Sequence, residues 1–269
     1  MSQEIQRAST GIPRLDAALE GGVPRGSWVA VTGEPGTGKS ILCMHFAWAG
    51  LKAGDPVIYI TTEAEFRDVM RQARQFRMYF DDYEVHYLGG RPPVRKPQLV
   101  VIDIFSLLKT ARQLSASIEE VERSRKYAAL EIDVLIAAIN EAYRVLDLVN
   151  ETRRSPRRHV RLIIDSLSAF WADKPVMARK YSYQLKIATH RENVTALLVS
   201  QYAMTTKATY GFGLEHIADG VIHLWMDDVE SAKEIRRYLI IKKMRMTNHY
   251  ARALRVSIIP GEGMKLDLL

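Results

Sequence analysis

The segment Gly33-Glu34-Pro35-Gly36-Thr37-Gly38-Lys39-Ser40 has the composition of a phosphate-binding loop. Residues 27–32 before it are β-branched, aromatic or small and predict a buried strand. Residues 41–48 after it contain no helix-breaking residue and predict a helix. This order matters because the N–H groups of such a loop converge on phosphate oxygens at the positive end of the following helix dipole. The sequence therefore predicts a nucleoside triphosphate site.

Two side chains of this loop have predictable roles. Lys39 is expected to reach the β- and γ-phosphates, and Ser40 is expected to hold Mg²⁺. ATP and Mg²⁺ are accordingly the predicted cofactors. The predicted nucleotide-binding residues are Gly33, Glu34, Pro35, Gly36, Thr37, Gly38, Lys39, Ser40 and Ile41.

The composition predicts an ordinary soluble protein. The chain has 269 residues, of which 47% are hydrophobic and 26% are charged, and one domain over residues 1–269 is expected. No stretch has the length and apolar character of a membrane span, and the N-terminus lacks the apolar core of a signal peptide. The lone Cys43 excludes an intramolecular disulfide. A cytoplasmic protein that does not bind membranes is expected.

The formal net charge of +7 is unevenly distributed. One cluster of arginines lies at residues 153–161, and a second group of basic residues lies at residues 233–255. Such clusters suit a polyanion, because contacts with phosphates release condensed counterions. A solvated basic surface is the alternative, and it is favoured for residues 153–161 taken alone.

Predicted strands and helices alternate along most of the chain. Further strands are expected at residues 56–62, 98–103, 160–165 and 195–201. Continuous apolar strands separated by helices predict an α/β fold with a mostly parallel central sheet flanked by helices. Shorter strands around residues 221–226, 238–243 and 254–259 predict a C-terminal antiparallel extension, with a turn at residues 260–263.

A long helical segment is predicted between the third and fourth strands, at about residues 104–158. Its apolar residues recur at alternating spacings of three and four over less than three heptads. A helix packed on the sheet is therefore preferred over a partner-binding coiled coil. The apolar positions are Ile132, Leu135, Ile139, Ala142, Leu146 and Val149.

Hydrolysis of a triphosphate requires one carboxylate to position the attacking water and another near the Mg²⁺. Glu63 follows the second strand and suits the first role, with Glu65 as a competitor two residues later. Asp165 ends the fourth strand and suits the second role, but Asp103 ends an equally apolar third strand. The pattern does not choose between the aspartates, because either also suits a turn contact at a strand end.

The chain resembles the RecA-type ATPases of the KaiC-like branch, and in particular the archaeal RadA paralogues that consist of a single core domain. Residues 9–16 and 20–27 resemble the lead-in of that family to its phosphate-binding loop. The resemblance covers nearly the whole chain and is weakest over residues 104–158, where the helical segment resembles an insertion. It implies a RecA-type core.

The resemblance also assigns roles to strand-end residues. The strand that ends at Glu63 resembles the one that delivers the family's catalytic glutamate, and residues 162–166 resemble its Walker B strand. This favours Asp165 over Asp103 as the residue that organises Mg²⁺ together with Ser40. Gln201 matches the family's sensor of the γ-phosphate.

A basic pair near the C-terminus implies assembly. Lys243 and Arg245 resemble the residues that KaiC-like subunits extend toward a neighbour's triphosphate, where positive charge stabilises the transition state. Exposed strand residues in a basic region are the alternative. Met246 departs from the family pattern, which has glycine there. A homo-oligomer is the expected active state, and the catalytic candidates are Lys39, Glu63, Gln201, Lys243 and Arg245.

In RecA-type folds, two loops after the fourth and fifth strands contact DNA. The corresponding residues, 170–180 and 202–210, combine basic and aromatic side chains, a mixture that holds single strands by phosphate contact and base stacking. The alternative is that the apolar residues of these loops are buried in the core or in an interface and do not contact DNA. The candidate DNA contacts are Trp171, Lys174, Arg179, Lys180, Lys207 and Tyr210.

The leading functional prediction is an ATPase that binds single-stranded DNA and modulates homologous recombination, with a recombinase or another protein as a further partner. The alternative is a nucleotide-state switch that acts on a protein partner without DNA binding. A strong salt dependence of polynucleotide binding would favour the first.

Overall fold

The computed structural model describes residues 4–114, 131–148, 158–171, 177–201, 213–227 and 234–269. Most of the strands form one sheet of 10 strands, and β1 and β2 pair separately. The strands are β1 Arg7–Ala8, β2 Val23–Pro24, β3 Trp28–Gly33, β4 Val57–Thr61, β5 Val85–Tyr87, β6 Leu99–Asp103, β7 Val160–Asp165, β8 Val194–Gln201, β9 Gly220–Met226, β10 Arg237–Met244, β11 Leu254–Ile259 and β12 Gly263–Leu268.

The sheet order is β12-β11-β10-β9-β3-β8-β7-β4-β6-β5. The strands from β9 to β5 are all parallel, which confirms the predicted parallel centre. The registers place Gly33 beside Gln201 and Thr61 beside Asp165. The carboxyl ends of β3, β8, β7 and β4 therefore meet at one edge of the sheet, where α/β proteins bind their ligands.

The antiparallel extension is confirmed for β10, β11 and β12, each of which pairs antiparallel with its neighbour. The strand β9 was expected in this extension, but it runs parallel to β3 and belongs to the parallel part. The predicted turn leads from β11 into β12, a strand that the sequence patterns did not predict. The short strand β5 was not predicted either.

Within the described residues the helices are α1 Pro13–Ala18, α2 Lys39–Lys52, α3 Phe66–Gln75, α4 Ile104–Leu114, α5 Ile132–Val145, α6 Ala178–Thr189 and α7 Leu214–Ile217, with short 3₁₀ turns at Phe80–Asp82 and Leu167–Phe170. Apolar residues of α1, α2 and α3 form one core against the sheet. Those of α5, α6 and α7 form a second core on the other face. None of the described helices is long and apolar enough to cross a membrane.

The predicted helical segment is present where it is described. The apolar positions Ile132, Leu135, Ile139, Ala142 and Leu146 are all at most 4% exposed. The helix α5 therefore packs on the sheet, as the preferred interpretation stated, and Val149 lies outside the described residues. The extent of an insertion over residues 104–158 stays a prediction.

One residue of the first arginine cluster has a purely internal position. Arg161 is 2% exposed, and its guanidinium contacts Asp55 at 3.0 Å and the main-chain oxygens of Ser9 at 2.5 Å and Phe46 at 3.0 Å. The Asp55 carboxylate also pairs with His159 at 3.0 Å. Arg161 therefore joins β7 to the N-terminal segment and is not part of a polyanion surface.

Candidate nucleotide site

The phosphate-binding loop lies where the sequence placed it, between β3 and α2. Gly33, Gly36 and Gly38 have φ angles of +146°, +79° and +104°, which side-chain-bearing residues rarely adopt. At Gly33 a Cβ atom would lie 2.0 Å from the main-chain oxygen of Leu224 on β9. Gly33 is therefore required by the closeness of β9, and all three glycines by their positive φ angles.

Lys39 begins α2 and is 5% exposed. Its ammonium donates to the main-chain oxygen of Glu34 at 2.6 Å, and the Thr37 hydroxyl donates to the same oxygen at 2.8 Å. Burial lowers the pKa of Lys39 to about 8, against the opposing effect of the Asp165 and Glu63 carboxylates. A buried ammonium held by a single carbonyl is well suited to a polyphosphate, which would supply the missing negative charge.

Asp165 ends β7 and faces Lys39 and Ser40. Burial raises its pKa to about 6, while the hydrogen bond from the Ser40 hydroxyl acts in the opposite direction. The Tyr59 hydroxyl lies 3.4 Å from its Oδ2 atom. A buried carboxylate beside a hydroxyl suits Mg²⁺, which binds protein oxygens together with phosphates and water. Among the described residues no group of three His, Cys, Asp or Glu side chains forms a separate metal site.

Asp103 has a different position. Its carboxylate accepts hydrogen bonds from the main-chain N–H groups of Phe66 at 2.9 Å and Ser106 at 2.8 Å, and from the Ser106 hydroxyl at 2.8 Å. It therefore anchors the starts of α3 and α4. The geometry agrees with the choice of Asp165 over Asp103 that the resemblance implied.

Glu63 and Gln201 lie together at the rim of the site. The Gln201 amide donates to Oε2 of Glu63 at 2.6 Å, and the Ser166 hydroxyl donates to Oε1 at 2.6 Å. The main-chain N–H of Gln201 in turn donates to the Ser168 hydroxyl at 2.7 Å. Glu63 is exposed, so water can reach it. Ser166 and Ser168 were not predicted as site residues, although Ser166 directly follows Asp165.

Glu65, the competitor for the catalytic role, points into a different pocket together with Asp103 and Lys109. Its carboxylate pairs with Lys109 at 2.6 Å and with Arg67. Hydrogen bonds from Lys109 and Arg67 lower the pKa of Glu65 to about 2. A carboxylate held by two cations is a poor base, and it does not line the cavity that contains Lys39.

The nucleotide cavity has a volume of about 510 Å³ and is lined by both polar and apolar residues. Such a volume suits a small-molecule ligand. Gln72, Phe76 and Ile258 were not predicted as site residues, because they come from distant parts of the sequence. The lining residues are Pro35, Gly36, Gly38, Lys39, Ser40, Ile41, Glu63, Gln72, Phe76, Asp165, Val199, Gln201 and Ile258.

Lys243 and Arg245 lie far from this cavity. Lys243 lies in the last part of β10 and Arg245 directly follows the strand. Because this end of β10 pairs with the beginning of β9, both residues lie near the amino end of β3. Lys243 donates to the main-chain oxygen of Ala218 at 2.6 Å, and Arg245 pairs with Asp219 at 3.2 Å. From Trp28 to Gly33 the strand β3 spans roughly 16 Å. The pair is therefore directed away from the phosphate-binding loop of its own chain.

The candidate DNA contacts separate into three groups. Trp171 is 1% exposed and belongs to the core that α5 and α6 form, so its prediction as a base-stacking residue is wrong. Arg179 and Lys180 are exposed in the first turn of α6. The other candidates, Lys174, Lys207 and Tyr210, lie outside the described residues.

The fold and the loop geometry define a P-loop protein with a RecA-type α/β core. The family model described as "ATPase: KaiC" matches residues 8–267. The chain therefore belongs to the KaiC ATPase family.

Individual relatives and one solved structure are similar to nearly the whole chain. A UPF0273 protein of Thermotoga maritima is 34% identical over 249 residues, covering 92% of this chain and 90% of the relative. One of Methanopyrus kandleri is 33% identical over 266 residues, covering 98% and 92% of the two chains. The crystal structure of a KaiC-like protein from Pyrococcus horikoshii matches with a TM-score of 0.69 and 24% identity, covering 98% and 99%. The narrower prediction of a RadA paralogue in DNA repair stays a prediction.

Proposed function

We propose that this protein binds Mg²⁺–ATP and hydrolyses it to ADP and phosphate, and that a neighbouring copy completes the catalytic site. The observation that supports hydrolysis is the convergence of Lys39, Ser40, Asp165, Glu63 and Gln201 around one cavity. Groups from four different strand ends provide phosphate binding, metal binding and an exposed carboxylate in the same place. A site for binding alone would not need that carboxylate.

Each group has a definable task in the proposed reaction. Lys39 and the loop N–H groups bind the phosphates, and Ser40 and Asp165 hold Mg²⁺, which neutralises developing charge. Glu63 positions the attacking water and accepts its proton. Gln201, which donates to Glu63 at 2.6 Å, links the occupancy of the γ-phosphate position to the orientation of that carboxylate.

Glu63→Gln tests the assignment of the base. We expect normal ATP affinity and a fall in kcat of about 10²- to 10⁴-fold, the usual contribution of a positioned base. Glu65→Gln is the matched control, because it makes the same change two residues away on a side chain paired with Lys109. We expect its kcat to stay within about threefold of wild type, a change much smaller than the loss of a catalytic base would cause. Equal turnover in Glu63→Gln and wild type would remove Glu63 from the mechanism.

The position of Lys243 and Arg245 supports completion by a second copy. Since they lie at the far end of the sheet from their own phosphate-binding loop, a triphosphate that they contact must belong to a neighbour. Positive charge there would stabilise the equatorial oxygens of the transferring phosphoryl group. Lys243→Ala and Arg245→Ala should each lose turnover in the assembled protein, and adding Lys39→Ala chains should restore it. Loss without restoration would contradict action between copies.

Contact with single-stranded DNA is a second proposal for the output of the nucleotide cycle. It is supported by the net charge of +7 and by the exposed pair Arg179 and Lys180 at the start of α6. We expect single-stranded DNA to stimulate hydrolysis less at higher salt, because phosphate contacts release counterions. Replacing Arg179 and Lys180 with glutamate should weaken this stimulation. A rate that is indifferent to DNA at low salt would favour the nucleotide-state switch that acts on a protein partner.

A further inference from the structure

Two cationic side chains contact one carboxylate near the end of β10, and a third contacts the main chain beside it. Asp219 lies between α7 and β9, and its Oδ1 atom accepts from Arg245 at 3.2 Å. Its Oδ2 atom accepts from Lys186 of α6 at 3.1 Å. Lys243 donates to the main-chain oxygen of the preceding residue, Ala218, at 2.6 Å. This corner holds Lys243 and Arg245 side by side.

The Asp219 carboxylate is itself fixed to the centre of the sheet. Its Oδ2 atom also accepts from the main-chain N–H of Trp28 at 3.0 Å, and the Asp219 N–H donates to the Trp28 oxygen at 2.7 Å. The Asp219 side chain is 15% exposed, whereas the Arg245 side chain is 61% exposed. The carboxylate is therefore anchored at the start of β3, while most of the guanidinium remains accessible from outside.

Two backbone irregularities bracket the basic pair. The pairing of β10 with β9 shifts register between Ile241 and Lys243, as in a β-bulge, which re-aims the side chains that follow. Beyond the pair, Met246 has a φ of +59°, so a methionine takes the left-handed conformation that usually belongs to glycine. Lys243 and Met244 still pair with β9 between these irregularities, so β9 supports the end of β10 that carries the basic pair.

The electrostatics of the corner explain why a carboxylate is needed. Burial and then the nearby positive charge of Arg245 lower the pKa of Lys243, so bringing the two cations together is unfavourable. Asp219 offsets this repulsion with a single negative charge. The two cations of the basic pair exceed the single charge of Asp219, and this excess of positive charge suits an approaching polyphosphate.

We infer that Asp219 is the positioning residue for the basic pair, because it holds Arg245 beside Lys243 in the arrangement that meets the triphosphate of a neighbouring copy. This inference rests on the proposed action of Lys243 and Arg245 between copies. Asp219 contacts neither nucleotide nor water in this mechanism and acts through Arg245. A guanidinium without this anchor would sample many orientations, and misplacement by about 1 Å costs up to about 10²-fold in rate.

The test is Asp219→Asn in the full-length chain. Asparagine keeps the size of the side chain and one acceptor for the Trp28 N–H, but it loses the charge that holds Arg245. We expect kcat of the assembled protein to fall by about 10- to 100-fold with KM for ATP unchanged. Lys186→Met is the control, because it removes the other cationic partner of the same carboxylate and leaves Arg245 in place. Its kcat should stay within about threefold of wild type, well short of the effect of a misplaced guanidinium.

A mixing experiment separates positioning from a general structural role. Asp219→Asn chains keep an intact phosphate-binding loop, and Lys39→Ala chains keep an intact Asp219 corner. In an equal mixture about a quarter of the head-to-tail contacts would join the two intact parts, so up to about a quarter of the wild-type rate should return. A merely damaged fold would not be rescued in this way.

The outcomes distinguish this inference from the proposed function. If Lys243→Ala and Arg245→Ala keep full turnover, the proposed action between copies fails, whatever Asp219→Asn does. If those variants lose turnover while Asp219→Asn keeps it, or if mixing restores nothing, the role of Asp219 is refuted. If Asp219→Asn does not fold, Asp219→Glu carries the same test, because it keeps the charge and displaces Arg245. Unchanged kcat in that variant refutes the inference.

Discussion

The stability of this protein should fall in mild acid because of His45, a residue of α2 outside the nucleotide cavity. His45 is 7% exposed, and its Nε2 atom accepts a hydrogen bond from the main-chain N–H of Met264 at 2.8 Å. A protonated imidazole has no acceptor atom, so protonation would break this bond and place a charge in the core. Burial lowers the pKa of His45 to about 4, against a hydrogen bond with the Gly11 backbone that acts in the opposite direction.

The magnitude follows from proton linkage. The unfolded chain binds a proton at His45 below a pKa of about 6.5, while the folded chain resists protonation until about pH 4. The stabilisation is therefore fully present above pH 6.5 and is lost as the pH falls. At pH 5, about 1.5 pH units below the unfolded value, the loss is about 2 kcal/mol at 1.36 kcal/mol per unit. By pH 4 it approaches about 3 kcal/mol.

The assay is urea unfolding of the wild type and His45→Gln at pH 7, 6 and 5. The glutamine amide oxygen can still accept from the Met264 N–H but does not titrate in this range. The variant should start less stable at pH 7, and the difference should shrink by about 2 kcal/mol by pH 5. The control is His190→Gln, which removes an exposed histidine and should leave the change in unfolding free energy between pH 7 and pH 5 as it is in the wild type. If the free energies of unfolding of wild type and His45→Gln fall in parallel between pH 7 and pH 5, the reasoning is refuted.

Further predictions concern stability and can be measured by urea unfolding at pH 7. Gly33→Ala should destabilise the fold by about 3 kcal/mol or more, because its Cβ would lie 2.0 Å from the Leu224 oxygen. A urea midpoint equal to that of the wild type would contradict this loop geometry. Asp55→Ala should cost about 3–5 kcal/mol by leaving Arg161 buried without a counter-ion, and adding Arg161→Met should recover part of that loss. No recovery would mean that charge is not the cause. Met246→Gly should be about 1 kcal/mol more stable than Met246→Ala, since only glycine adopts a φ of +59° without strain; equal stabilities would contradict this explanation.

The sequence predicted the centre of the fold and the polar residues that line the cavity because both depend on local signals. Continuous apolar runs identify buried parallel strands, and polar residues that end such runs must lie at one edge of the sheet. Glu63, Asp165 and Gln201 are such residues, and the structure brings all three to the same cavity. The choice of Asp165 over Asp103 needed the family resemblance, because the hydrogen bonds of Asp103 to Phe66 and Ser106 leave no trace in the strand pattern.

The errors share a physical cause, which is that the environment of a side chain depends on distant parts of the chain. Trp171 follows a strand within a basic and aromatic stretch, yet it fills the core beneath α5 and α6. Arg161 ends an arginine cluster, yet it points inward because its guanidinium donates hydrogen bonds to Asp55 and to the Ser9 carbonyl in the interior. Neither partner is near Arg161 in the sequence, so a local pattern of charges could not reveal the pairing.

The proposed catalytic unit needs two copies because of the direction in which β10 runs. The strand β9 runs parallel to β3, and β10 runs antiparallel to β9, so β10 begins near the phosphate-binding loop and ends at the opposite edge. Arg237 at its start donates to the Gly36 oxygen at 2.9 Å, whereas Arg245 just beyond its end pairs with Asp219. One strand thus connects the nucleotide loop of a chain to the basic pair that it offers a neighbour. The route from the loop to that pair runs through the Arg237 hydrogen bond and then along the backbone of β10, and Asp219 is the contact at its far end where the position of Arg245 can be tested.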